Sequence, residues 1–139
     1  MDEQAPTAAA RAVVFDTDIL IWYFRGHERA RRFMVRFPYL RRAVSSLTVM
    51  ELLQGCRNQE ETRQVRAFVA ENIPRVLHPD ESVSRRAIEL LARYAMAHGL
   101  RVVDALIAAT VLETGFSLAT ANSKHYRAIA RLHLITFRP

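Results

Sequence analysis

The feature that most constrains the fold is an apolar run that breaks off into carboxylates. Val13, Val14 and Phe15 lead directly into Asp16-Thr17-Asp18, and apolar residues resume at Ile19, Leu20, Ile21 and Trp22. A short apolar run rich in β-branched side chains, with no polar alternation, reads as a strand buried on both faces. Ligands of open α/β sheets bind outside the carboxyl ends of the strands, so position alone makes Asp16 a site candidate. The competing reading is that Asp16 or Asp18 caps the helix that follows.

The rest of the chain alternates in the same way. A short helix over 19–24 ends near Gly26. Residues 28–37 place Ala30, Phe33, Met34 and Phe37 at helical spacing, with arginines on the other face, and Pro38 stops them. Residues 43–46 read as a second strand, 48–54 and 60–72 as helices, and 75–78 as a weak strand. From Asp80 to Gly99 the helical period is strong. Val102–Thr114 is apolar nearly all round, which marks a buried helix. Residues 116–120 read as a strand, 121–129 as a loop with a short helix, and 134–137 as an edge strand. Strands alternating with helices favour a parallel sheet with helices on both faces.

The 139 residues suit one domain, at 12–139, after a small, polar tail at 1–11 that reads as flexible. No apolar run approaches the length of a membrane span, and the start lacks the basic and apolar regions of a secretory signal. The single Cys56 excludes an internal disulfide and a cysteine-based zinc cluster, which makes a cytoplasmic location the default. Net charge is +6, and 19 of the 20 basic residues are arginine, the side chain best suited to forked contacts with phosphate. A basic domain with an acidic strand-end cluster suggests a polyanion bound around a metal.

The acids and amides that interrupt buried segments are Asp16, Glu51, Asp104 and Asn122. In a parallel sheet all four can face one rim, with the hydroxyls of Thr17, Thr48 and Thr120. Crowded carboxylates ionise together only with a cation, and oxygen-only donors suit Mg2+ or Mn2+. Such an ion activates water for phosphodiester hydrolysis. The five histidines form no spaced pair. Each position also has a structural reading: Thr48 and Glu51 as a capping box, Asp104 as a helix-dipole partner, Asn122 as a turn residue.

These residues resemble the PIN domain and, within it, the VapC toxins of bacterial toxin–antitoxin pairs. The matching pieces are VVFDTDILI at 13–21, SSLTVMELLQG at 45–55, VVDALIAATVLETG at 102–115 and LATANSKHYRAI at 118–129. The resemblance implies a three-layer α/β/α sandwich and an Mg2+- or Mn2+-dependent endoribonuclease. It carries Asp16, Glu51 and Asp104 over as metal-binding acids. Asn122 falls where many members keep a fourth Asp, which puts a second metal in doubt. Asp18 falls where Asn or Ser is common. Thr17, Thr48 and Thr120, with Asp18, read as residues supporting the ligands. A homodimer and a cognate antitoxin that covers the site are implied as partners, and RNA as substrate. Leu40, Met50 and Leu53 are candidates for the dimer surface.

The arginines of 28–42 are expected to grip RNA backbone. Trp22, Tyr23 and Phe24 suit base stacking or, more commonly, a core or dimer interface. Lys124 and His125 lie beside Asn122; the first suits a phosphate contact, the second a structural role. Asp16-x-Asp18 after a strand also resembles the start of haloacid-dehalogenase phosphatases. That reading lacks its later lysine and acidic pair, since Lys124 is the only lysine and Glu113 the only acid after Asp104. A third reading is a PIN-like module that binds RNA or a partner without cleaving.

Overall fold

Successive side chains of a strand point to opposite faces, yet Val13, Val14 and Phe15 are all completely buried. The computed structural model, which describes residues 11–139, accounts for this by placing β1 (Val13–Phe15) at the centre of a five-stranded sheet. Its neighbours are β2 (Arg42–Ser45) and β4 (Ser117–Thr120). Beyond them lie β3 (Arg75–Leu77) and β5 (Leu134–Thr136), giving the order β3-β2-β1-β4-β5. Every pairing is parallel.

Parallel neighbours need crossovers, and helices supply them. α1 (Thr17–Phe24) and α2 (Glu28–Val35) join β1 to β2, and α3 (Ser46–Gln54) and α4 (Gln59–Asn72) join β2 to β3. α5 (Glu81–His98) and α6 (Val102–Thr114) then return the chain to β4, on the other side of β1. The first four helices pack on one face, where Val13, Phe15, Val44 and Ala119 meet Ile19, Phe33, Leu52 and Phe68. α5 and α6 pack on the other, where Val14, Ala43 and Leu118 meet Val83, Leu90, Ile107 and Val111. The result is the three-layer α/β/α sandwich. It also explains the all-round apolarity of α6, whose Ala105, Ile107, Ala108, Ala109 and Val111 are buried.

Several element ends differ from the periodicity. α1 begins at Thr17 and α3 at Ser46, each two residues early, because Asp16 and Ser45 cap them. Ser45 Oγ accepts from the Leu47 N–H at 3.1 Å. Thr48 therefore lies inside the first turn, fully buried, and the capping box expected from Thr48 to Glu51 does not form. α2 ends at Val35, ahead of Pro38, whose ring disfavours helical backbone in the preceding residue. Gly99 and Gly115 end α5 and α6 at φ 68° and 72°, the left-handed conformation that favours glycine. The helix expected within 121–129 is a single 3₁₀ turn, Ser123–His125.

The tail expected at 1–11 lies outside the described residues apart from Arg11, whose carbonyl accepts from Arg41 Nε at 2.7 Å. No helix among the described residues is long and apolar enough to cross a membrane.

Candidate functional site

Strand order reverses between β1 and β4, since the chain leaves β1 for β2 on one side and reaches β4 on the other. Such a switch point opens a crevice at the carboxyl ends of the two strands. Asp16 follows β1 there, and Thr120 ends β4. Both are buried, Asp16 to 6 % exposure. The Asp16 N–H donates to the Ala119 carbonyl at 2.8 Å, which extends the β1–β4 ladder and locks Asp16 in place.

Three sets of hydroxyls hold the acids. Thr120 Oγ1 donates to Asp16 Oδ2 at 2.8 Å and lies 3.3 Å from Asp18 Oδ2, while accepting from the Asn122 N–H at 3.0 Å. One proton cannot serve both carboxylates fully, and the shorter contact goes to Asp16. Asp18 takes the Ala121 N–H instead, at 3.2 Å. Thr17 Oγ1 donates to Glu51 Oε1 at 2.6 Å and lies 2.9 Å from Thr48 Oγ1. Because Thr17 has one proton and gives it to Glu51, Thr48 donates to Thr17, forming a directed chain that ends on Glu51. The third is Tyr126, whose phenol donates to Asp104 Oδ1 at 3.2 Å and also lies within reach of Asp16.

Asp104 has a second task. Its Oδ2 accepts from the Arg101 N–H at 3.3 Å, so it caps α6 while facing the crevice. His125 Nδ1 lies 3.7 Å from the same oxygen and 3.2 Å from Asn122 Nδ2. The exposed Asn122 side chain donates to His125 Nδ1 and makes no hydrogen bond to the acids among the described residues. Glu51 is exposed on α3, bounding a groove of about 560 Å3 walled by Ile21, Phe24, Leu52 and Val65.

Burial charges this arrangement electrostatically. Loss of hydration pushes the Asp16 carboxyl up to about 7, and the nearby Asp18 adds to it, against the hydrogen bonds from Thr120, Thr17 and Tyr126. Asp18 is raised too, first by burial, with Asp104 contributing repulsion. Burial and the charges of Asp16 and Asp104 hold the Tyr126 phenol well above its ordinary range, so it stays a donor. Among the described residues no three acidic, histidine or cysteine side chains already converge on one point. The acids are spread over three hydroxyl sets. The donor set is all oxygen, and like charges crowd a rim at which Asp16 is buried and Asp18 and Asp104 half-buried; both properties fit a hard divalent cation, which would offset the repulsion.

The structure therefore joins Asp16 to Asp18 through Thr120 and to Asp104 through Tyr126, joins Glu51 to Asp16 through Thr17, and leaves Asn122 peripheral. The sequence reading missed Tyr126, 1 % exposed and hydrogen-bonded to the acids. Its signal was a lone aromatic in the polar segment after β4. Trp22 and Tyr23 pack against the first core, and Tyr23 and Phe24 lie 4.7 and 5.0 Å from Phe68 between ring centroids. They serve packing.

An acidic crevice at the switch point of an all-parallel, doubly wound sheet is where an open α/β protein of this class carries its site. The sequence over residues 13–131 matches the PIN domain, and the chain belongs to that family. Membership removes the phosphatase reading of Asp16-x-Asp18. Similar solved structures include a toxin–antitoxin complex from Klebsiella pneumoniae, 25% identical, covering 92% of this chain and 100% of that one at a TM-score of 0.78. DNA-bound VapBC from Salmonella typhimurium is 19% identical over 91% of this chain and 98% of that one, with a TM-score of 0.72. Mycobacterium tuberculosis VapC20, a toxin that cleaves the sarcin-ricin loop, is 18% identical over 92% and 100% respectively, with a TM-score of 0.68. The last two speak to the fold alone. No curated protein sequence matches the chain.

Proposed function

We propose that this PIN domain protein is the toxin of a toxin–antitoxin pair, an endoribonuclease dependent on Mg2+ or Mn2+. PIN domain toxins of the VapC type are nucleases, and PIN nucleases generally use a divalent metal. The observation that carries the reading is the crowding of Asp16, Asp18 and Asp104 at one rim, with Asp16 buried and its carboxyl raised to about 7. Asp16, Glu51 and Asp104 would hold the cation. When bound, the cation supplies an activated water and a contact to the scissile phosphate. Thr17, Thr120 and Tyr126 orient the three acids, and Thr48 orients Thr17. Buried walls below Asp16 exclude bulk water from the charged rim. Asn122 donates to His125 Nδ1 and so fixes that ring beside Asp104 without a bond to the acid.

The partner in this reading is a cognate antitoxin whose apolar segment lies in the groove between α1, α3 and α4, beside Glu51. The protein works in the cytoplasm as a homodimer. Leu40 and Met50, 73% and 59% exposed, remain the candidate surface; Leu53 packs partly against the core.

Expression of the chain alone should arrest growth, and expression of Asp16→Asn should not. Purified wild type should cleave RNA with Mg2+ or Mn2+ and stop when EDTA is added. Equal cleavage by both proteins in EDTA would overturn the reading, as would normal growth with abundant folded protein.

A further inference from the structure

The arginines of the α2 segment divide into two groups. Arg31 lies over the Tyr23 ring at 5.4 Å, Arg41 holds the Arg11 carbonyl, and Arg42 holds the carbonyls of Phe37 and Asn72. These three are committed to the fold. Arg29, Arg32 and Arg36 line an open cavity of about 380 Å3 together with Arg138, just after β5. No acid lines this cavity. The side chains of Arg29, Arg32 and Arg138 make no ion pair or hydrogen bond among the described residues, and Arg36 only covers the Phe33 ring at 5.7 Å.

Position connects this cavity to the acidic rim. Thr136, which also lines it, is the register partner of Thr120, and the Phe137 N–H donates to the Thr120 carbonyl at 2.8 Å. Neighbouring strands lie about 5 Å apart. The arginine cavity thus begins one strand away from the hydroxyl that holds Asp16. Arg29, Arg32 and Arg36 recur at spacings of three and four, so they form one ridge along α2. A ridge of forked donors leading away from a phosphodiester-cleaving centre matches a chain of phosphates.

We propose that Arg29, Arg32, Arg36 and Arg138 form a binding track for the sugar–phosphate backbone of single-stranded RNA flanking the scissile bond. This rests on the ribonuclease reading for its direction, while the track itself binds RNA whether or not cleavage occurs. The guanidinium groups contact phosphates and carry no base specificity. Phe33 and Phe137 are buried and act as the floor, not as stacking platforms.

The test is a triple substitution, Arg29→Ala, Arg32→Ala and Arg138→Ala, all at exposed positions. Labelled single-stranded RNA is titrated in EDTA over a range of salt, and cleavage is followed separately with Mn2+. Each lost phosphate contact lowers the salt slope by about 0.7 for a single strand. The slope should therefore fall by about 2, and binding at low salt should weaken on the order of tenfold or more. KM for RNA should rise, while hydrolysis of bis-p-nitrophenyl phosphate, too small to reach the track, stays at the wild-type rate. A control with Arg85, Arg86 and Arg93 of α5 changed to Ala removes equal charge and should leave the slope nearly unchanged.

An unchanged slope in the first variant would overturn the track, as would equal losses in both. So would loss of poly-glutamate binding with RNA binding intact, which would assign the cavity to an acidic peptide. A wild type that cleaves nothing but shows the slope difference would sink the ribonuclease reading and leave the track standing.

Discussion

The protein carries two clusters of like charge, acids at the carboxyl-end rim of its sheet and arginines along α2 and just after β5, and they differ in how they bear it. The acids at the β1–β4 crevice are held at the end of β1, in the first turns of α1 and α6 and within α3 by the hydroxyls of Thr120, Thr17 and Tyr126. Asp16 is 6 % exposed, and its carboxyl is driven up to about 7. The arginines of α2, its C-cap Arg36 and Arg138 after β5 stand on long stems with their heads in water. Like charges repel weakly when solvated and screened, and strongly when buried. The arginine track is consequently stable without a ligand. At the acidic crevice burial favours the protonated Asp16, and in the proposed reading a cation takes the proton's place.

The largest effect expected from breaking this contrast is at the acids. Asp16→Asn or Asp104→Asn keeps the shape and removes a negative ligand, and RNA cleavage should fall about a thousandfold or more, roughly 4 kcal/mol of barrier. Single-turnover assays with excess Mn2+ would show it; wild-type rates in either variant would remove that acid from the centre. Next comes Tyr126→Phe. It deletes the hydroxyl on Asp104 and Asp16 but keeps the buried ring, so Mn2+ should bind about 10- to 100-fold more weakly. Activity titrated against Mn2+ separates this from lost packing: a shifted midpoint with a recovered plateau marks positioning, and an unshifted curve assigns Tyr126 to packing alone.

The pH dependence of stability follows from Asp16. Its carboxyl ordinarily titrates at 3.8 and in the fold at about 7, so between these values the folded state holds the proton and the unfolded state does not. Stability of the metal-free protein therefore falls as pH rises through this window, by at most about 4 kcal/mol. Denaturant midpoints across the window should decline for wild type and decline less for Asp16→Asn, in which the buried Asp18 alone still favours its proton. Parallel profiles would mean that Asp16 is not the group responsible. Mn2+ should raise the midpoint more above pH 7 than below it, because protons and cation compete for the same oxygens.

The smallest effect is on the basic side. Removal of Arg32 or Arg138 alone should weaken RNA binding only about two- to fivefold at low salt and leave the melting temperature unmoved, since solvated charges contribute little to folding. A drop in melting temperature would show that the arginine was part of the fold, as Arg42 is.

Much of the architecture was legible because it is local. The unbroken apolar run at Val13–Phe15 required burial on both faces, and the all-round apolarity of Val102–Thr114 required a helix under a second layer. Gly99 and Gly115 end their helices where the period stops. The acids were legible because charge inside an apolar run needs a reason. Helix starts were less so: Ser45 and Asp16 cap through single hydrogen bonds that leave no periodic trace. Glu51 was readable as a capping partner only until α3 was seen to begin at Ser46.

What the sequence determined by itself was the alternation of buried strands and helices, the family pattern, and the list of acids able to meet at one rim. Only the tertiary structure decided which groups restrain them. Tyr126 reaches Asp104 from 22 positions away, and Thr120 reaches Asp16 from 104. It likewise divided the arginines into those that hold the fold and those that face solvent, and set the latter one strand from Thr120. Periodicity records which face of an element is buried; the strand order that brings β4 beside β1 arises from packing between distant segments, and the hydroxyls, the crevice and the track follow from that order.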